Sequence, residues 1–257
     1  MALKKIDSAL HQAGVFLHAG ESIWEIRDID RLARLYEFIK EEQKKTDGGI
    51  FCNDSAPSYW KKGFCSAAVK DFSKFLSLAD RQKIMLEQFA NAGAAKKLAQ
   101  DLEKVKLKPN PLLIPDDISV TTLEGKSILK EIKIRQNQSV FRKMILSIYQ
   151  GKCCLTGLPI QEVLRASHIS AWATDLPNRM NPENGLCLSA TYDAAFDRHL
   201  ISFDDDYRMI LAPSLHEYCT NQAFQEQFKH FEGARITLPI RFFPSKELLA
   251  KHREAMQ

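Results

Sequence analysis

The stretch NPENGLCLSATYDAAFDRHLISFD, residues 181–204, changes hydrophobic period within a few residues. Asn184–Gly185 reads as a turn. An alternating run follows it, and from about Ser189 the spacing becomes helical. On that helix Asp193 and Asp197 lie four residues apart, which sets both carboxylates on one face. Downstream, ISFDDDYRMILAP (201–213) reads as a hairpin turning at Asp204–Asp206. Upstream, RASHISAW (165–172) places a lone histidine, His168, at the end of a strand. CCLTGLPIQEVLRASHI (153–169) reads as a hairpin whose turn is Thr156–Pro159. Before it, QSVFRKMILSIYQGK (138–152) reads as a helix, with Ser139 as N-cap and Val140, Phe141, Ile145 and Ile148 facing inward. The order helix, hairpin, turn, helix, hairpin is that of an α+β domain.

The first hundred residues read as mostly helical. DIDRLARLYEFIKEEQKK (28–45) places Ile29, Leu32, Leu35, Tyr36 and Ile39 on one face, with Asp28 or Asp30 to cap its start. Gly48, Gly49 and Pro57 break the pattern. It resumes in a helix whose buried stripe is Ala68, Phe72, Phe75 and Leu76, and a third helix is expected over 81–106. Pro109, Pro111 and Pro115 then interrupt helix formation. The chain therefore divides into a helical region (1–108), a Pro-rich connector (109–125) and a C-terminal domain (126–257) whose motif core is 150–213.

The 257 residues carry a formal net charge of only +4. Seven of the basic residues, however, fall between Lys126 and Lys152 against a single acid, Glu131. A block of this kind can track phosphates, although a solvated helix face is as common an explanation. In residues 1–109 acids such as Glu37, Glu41 and Glu42 offset the lysines, so this part can serve DNA or a protein partner. No apolar run is long enough to span a membrane. His11, His18 and Glu21 interrupt the one short apolar stretch at the N-terminus, which argues against a signal peptide. The six cysteines include no C-x-x-C pair. Reduced thiols in a cytoplasmic protein are expected, with Cys153, Cys154 and Cys187 as buried apolar fillers and no structural zinc.

Taken alone, His168 is more often a core histidine than a base. The Asp193/Asp197 pair changes its context. Two repelling carboxylates suit a hard cation such as Mg²⁺ or Mn²⁺. A neutral imidazole near such an ion is equipped to take a proton from water in phosphodiester hydrolysis.

In this order the blocks GKCCLTG (151–157), RASHISAW (165–172) and NPENGLCLSATYDAAFDRHLISFD (181–204) resemble the HNH nuclease family. The closer likeness is to its restriction-type branch, with the pattern A-x-H-I … N-G-L-x-L … F-D. The resemblance implies a ββα-metal fold and a metal-dependent DNA endonuclease acting in restriction or defence. By position His168 would be the general base, and Asn184 would pin the loop that orients it. Asp193 and Asp197 would bind the metal, with Ser167 at a further ligand position where many relatives have Asp. Asp175 or water would complete the shell. Position 192 is Tyr where close relatives often have His. Arg135, Arg142, Lys143, Lys152, Arg165 and Arg198 are the expected DNA contacts, and Arg179 is a further candidate phosphate clamp. The competing reading is a non-catalytic DNA-binding module with a degenerate motif.

Overall fold

The computed structural model describes residues 2–52, 60 and 62–256. Its architecture is α+β, and the chain forms two compact units that are each discontinuous in sequence: Met1–Lys83 with Lys106–Ile134, and Ile84–Val105 with Arg135–Gln257.

The first unit is helical. Helix α1 (Ala2–Ala13) buries Leu3, Ile6 and Leu10, and α2 (Ile29–Lys44) buries Leu32, Leu35, Tyr36 and Ile39 at helical spacing. Asp28 caps α2, its carboxylate accepting from the backbone N–H groups of Asp30 and Arg31. Helix α3 (Phe64–Ala90) contributes Val69 and Phe72 to this core, while Phe75 is 63% exposed and not part of the stripe expected of it. Pro57 lies outside the described residues. The Pro-rich stretch is packed. Asn110 is buried and donates to Ser73 and Ser77 of α3, and Leu112, Leu113 and Ile114 are buried beyond it. Asp116 accepts from Tyr36, Lys40 and Lys70, which holds its carboxyl well below the ordinary range.

The single helix expected over 81–106 is two. α3 runs on to Ala90, and after a break at Gly93 α4 spans Ala95–Lys104. Glycine weakens a helix at this point, and α4 then buries its own face through Leu98, Ala99 and Leu102. Helix α5 (Leu123–Ile148) likewise starts well before Ser139, which is therefore interior and not a cap. The inward face of its second half is as read: Val140, Phe141, Ile145 and Ile148 are at most 1% exposed.

The second unit holds the mixed part. Strand β1 (Leu164–His168) pairs antiparallel with β2 (Gly185–Ser189), with His168 opposite Gly185 and Leu164 opposite Ser189. The hairpin expected within 153–169 does not form. Residues 153–158 instead close a tight turn, with Gly157 N–H donating to Cys153 O at 2.9 Å and Gly157 in the left-handed region (φ 72°). Cys154 N–H donates to Cys187 O of β2 at 2.7 Å. An apolar run cannot name its partner from period alone. Here the partner of β1 is the wholly buried GLCLS segment, beyond a sixteen-residue loop spanning 169–184. Helix α6 (Ala190–Asp197) follows β2 directly and packs on both strands. Strands β3 (Ile201–Phe203) and β4 (Met209–Leu211) make the expected hairpin, Asp204 accepting from the N–H groups of Asp206 and Arg208 in its turn. Helices α7 (Gln222–Gln227) and α8 (Lys246–Glu254) complete the unit. Cys153, Cys154 and Cys187 are free, buried thiols in its core, and burial pushes Cys187 up to about 12.

Gly185 fixes how α5 meets this sheet. A Cβ there would lie 2.4 Å from Ile145 Cδ1 and 2.8 Å from Phe141 Cζ. Without one, β2 sits against α5, and Phe141 reaches the histidine at the end of β1.

Candidate active site

β1, the following loop and α6 border an open cavity of about 720 Å³. His168, Ser167, Asp193 and Asp197 all line it, as do Arg142, Arg165 and Trp172. Arg135, Lys143, Lys152 and Arg198 are exposed but do not line it.

The imidazole of His168 is held on three sides. Phe141 stacks on it at 3.9 Å between ring centroids and 17° between planes. Trp172 presents an edge contact at 5.2 Å and 80°. Nε2 lies 3.1 Å from the carbonyl oxygen of Arg179. A carbonyl only accepts, so Nε2 carries the proton and Nδ1 keeps its lone pair. Burial pushes His168 down to about 4, against smaller opposing effects of the Arg179 carbonyl and of Asp193. The ring is thus neutral at physiological pH and able to accept a proton.

Asn184 is fully buried and ties the loop across its base. Its Oδ1 accepts from Ser170 N–H at 2.7 Å, while Nδ2 donates to Ser170 O at 3.0 Å and to Asn178 O at 3.1 Å. The amide oxygen and both amide hydrogens are thus engaged, on the backbone of Ser170, two residues past His168, and of Asn178, ten past it.

The carboxylates of α6 line the same cavity. Ser167 is buried and donates its hydroxyl to Asp193 Oδ1. Asp197, at the helix end, is exposed, and its carboxyl is raised by partial burial and then by the negative charge of Asp193. That excess charge is what a hard cation relieves. Among the described residues no group of three or more His, Cys, Asp or Glu side chains is arranged to hold a metal ion. Asp193 and Asp197 are the two carboxylates of the cavity that could hold a hard divalent ion together with water. Tyr192 points the other way: its hydroxyl donates to Gln227 O and its ring packs edge-on against Phe228 and Phe231. The residue at 192 consequently has no bearing on the cavity.

Two cavity residues escape a reading of the motif. His199 follows α6 in a left-handed conformation (φ 56°), its N–H donating to Phe196 O and the next N–H, of Leu200, to Ala195 O, both at 2.9 Å. This pair of bonds is a Schellman ending, a place usually given to glycine. His199 Nδ1 is buried without a hydrogen-bond partner among the described residues. His252 reaches the cavity from α8, its Nε2 donating to Phe196 O at 3.0 Å and its Nδ1 accepting from Ser202 at 2.9 Å. The left-handed turn after Arg198 is a local signal that a histidine replaces the expected glycine. Nothing local in the α8 sequence could announce His252.

Several arginines are engaged by backbone carbonyls. Arg142 donates to Leu164 O and Gln161 O, and Arg165 to Glu162 O and Leu164 O. Arg198 donates to Ala194 O.

No helix among the described residues is long and apolar enough to cross a membrane. No curated protein matches the chain. Residues 153–204, which run from the turn before β1 through β3, match the family model described as HNH endonuclease. With a ββα arrangement of β1, β2 and α6 in that same span, residues 153–204 are an HNH endonuclease domain.

Proposed function

We propose that the chain is a metal-dependent DNA endonuclease that hydrolyses phosphodiester bonds, in restriction or defence against foreign DNA. The observation that carries this reading is the neutral His168, its Nε2 fixed on a carbonyl, in one cavity with Asp193 and Asp197. In this reading His168 Nδ1 accepts a proton from the attacking water. Asn184 holds the loop that places it. Asp193 and Asp197 hold Mg²⁺ or Mn²⁺, with Ser167 orienting Asp193. When bound, the cation supplies charge stabilisation at the phosphoryl and leaving oxygens. Arg142 and Arg165 line the cavity and stand nearest to meet the scissile strand. Arg135, Lys143, Lys152 and Arg198 would contact phosphates further out. The unit of Ile84–Val105 with Arg135–Gln257 would act as the nuclease part, and the unit of Met1–Lys83 with Lys106–Ile134 as the part that meets DNA or a protein partner.

A second reading, a DNA-binding module without catalysis, is favoured by one observation: the described residues present no ready three-ligand metal group. Supercoiled plasmid separates the two. The endonuclease reading predicts nicking or linearisation in Mg²⁺ or Mn²⁺ that chelator abolishes. Retained DNA binding with no cleavage in any of Mg²⁺, Mn²⁺, Ni²⁺ or Zn²⁺ contradicts it.

A further inference from the structure

We infer that Arg179 is a positioning residue for His168 and not a phosphate clamp, an inference that rests on His168 being the base. Its backbone carbonyl accepts the Nε2 proton and so selects the tautomer that leaves Nδ1 basic. The side chain of the same residue fixes where that carbonyl stands. Its Nε donates to Trp172 O at 2.7 Å and its Nη2 reaches Ala173 O at 3.5 Å, on the opposite limb of the loop. The guanidinium also lies over the Trp172 ring, 5.6 Å from its centroid. Trp172 in turn sets its edge against the His168 ring. Two of the three contacts that orient the imidazole therefore run through one arginine, and only the Phe141 stack is independent of it. The planar fork matters: it bridges two carbonyls while stacking on an indole, which an ammonium cannot do. With those donors and that face engaged inside the loop, the guanidinium is committed away from DNA.

Loss of the side chain should let the loop limbs part and the imidazole sample both tautomers. A misplacement of about 1 Å costs on the order of a hundredfold in rate. Long-range ¹H–¹⁵N spectra of the imidazoles in the full-length protein read the tautomer directly, and plasmid cleavage reads kcat and KM. Wild type is expected to show His168 as the Nε2–H form alone. Arg179→Ala is expected to mix the Nδ1–H form in and to lower kcat by about ten- to a hundredfold with KM changed less than about threefold. Arg179→Lys, which keeps one donor for Trp172 O, should restore part of both. An unchanged tautomer with a raised KM in Arg179→Ala overturns the inference in favour of a phosphate clamp. Should the alanine variant not fold, a lysine variant with the wild-type tautomer and wild-type kcat overturns it equally. If even wild type does not cleave DNA, the endonuclease reading falls, while the tautomer spectra still decide the role of Arg179.

Discussion

The two sides of the cavity are built differently. His168 is gripped by a stacked Phe141, an edge-on Trp172 and the Arg179 carbonyl, over a loop tied by a fully buried Asn184. The carboxylates of the same cavity have, among the described residues, one protein hydrogen bond between them, from Ser167 to Asp193, and Asp197 is exposed. His168, the proposed base, is preorganised by neutral packing and backbone bonds, so its placement is inseparable from the fold. The carboxylate side is more open, and in the proposed reading it is where a hydrated cation would bind. Substitutions on the base side should therefore damage stability and activity together, and those on the carboxylate side activity alone.

The largest separation of the two is expected from Asp193→Asn. It removes half of the charge that would hold the cation while keeping an oxygen for Ser167. Cleavage should fall about a hundredfold, in line with several kcal/mol of lost charge stabilisation. Stability should hold or rise by a few tenths of a kcal/mol as the repulsion with Asp197 disappears. A large drop in the urea midpoint would break the contrast.

Acid should act on the base side. His168 and His252 are both held near 4 by burial, whereas an unfolded histidine titrates near 6.5. Between those values the unfolded chain binds protons that the folded chain does not, so stability is full above about pH 6.5 and falls as pH drops toward 4. A loss of roughly 2–4 kcal/mol is expected from the two together. Urea unfolding at pH 7 and pH 4.5 measures it, and equal midpoints would contradict the burial of the two rings.

Gly185→Ala tests the packing that brings Phe141 to His168. Its Cβ would meet Ile145 and Phe141 well inside contact distance, with a loss of about 1–3 kcal/mol and a parallel loss of cleavage. Unchanged stability would mean that α5 gives way freely. The smallest effect is expected at His199. Glycine is at ease in its left-handed position and removes a buried nitrogen that has no partner among the described residues. His199→Gly should stabilise by up to about 1 kcal/mol, read as a rise in Tm.

This contrast also governs what the sequence discloses. Helix α6, the β3–β4 hairpin and the capped α2 were legible because each is specified by neighbours within a few residues: Asp28 before its helix, Asp204 in its turn, the spacing of Asp193 and Asp197. That His168 and both aspartates meet in one cavity was legible only through the resemblance of the ordered blocks, which implied a ββα fold. The partner of β1 was not. Its period is shared by any apolar run, and the true partner is named only by Asn184 bonding back to Ser170 and by Gly185 making room for α5. The backbone bonds of the arginines were hidden for a related reason. A positive charge near a motif reads as a phosphate contact, and the sequence does not show that Arg142 and Arg179 also donate to carbonyls of loop and strand ends that only folding brings near. His252, on a helix fifty-five residues beyond Asp197, arrives through tertiary packing alone.

The central claim is that a neutral, carbonyl-fixed His168 serves as the base of a metal-dependent nuclease. Its most direct test is cleavage of supercoiled DNA in Mg²⁺ or Mn²⁺ by wild type and by His168→Ala, each checked for folding by circular dichroism. Loss of cleavage by two to four orders of magnitude in a folded variant is the predicted result. Undiminished cleavage by a folded, contaminant-free His168→Ala protein would contradict it.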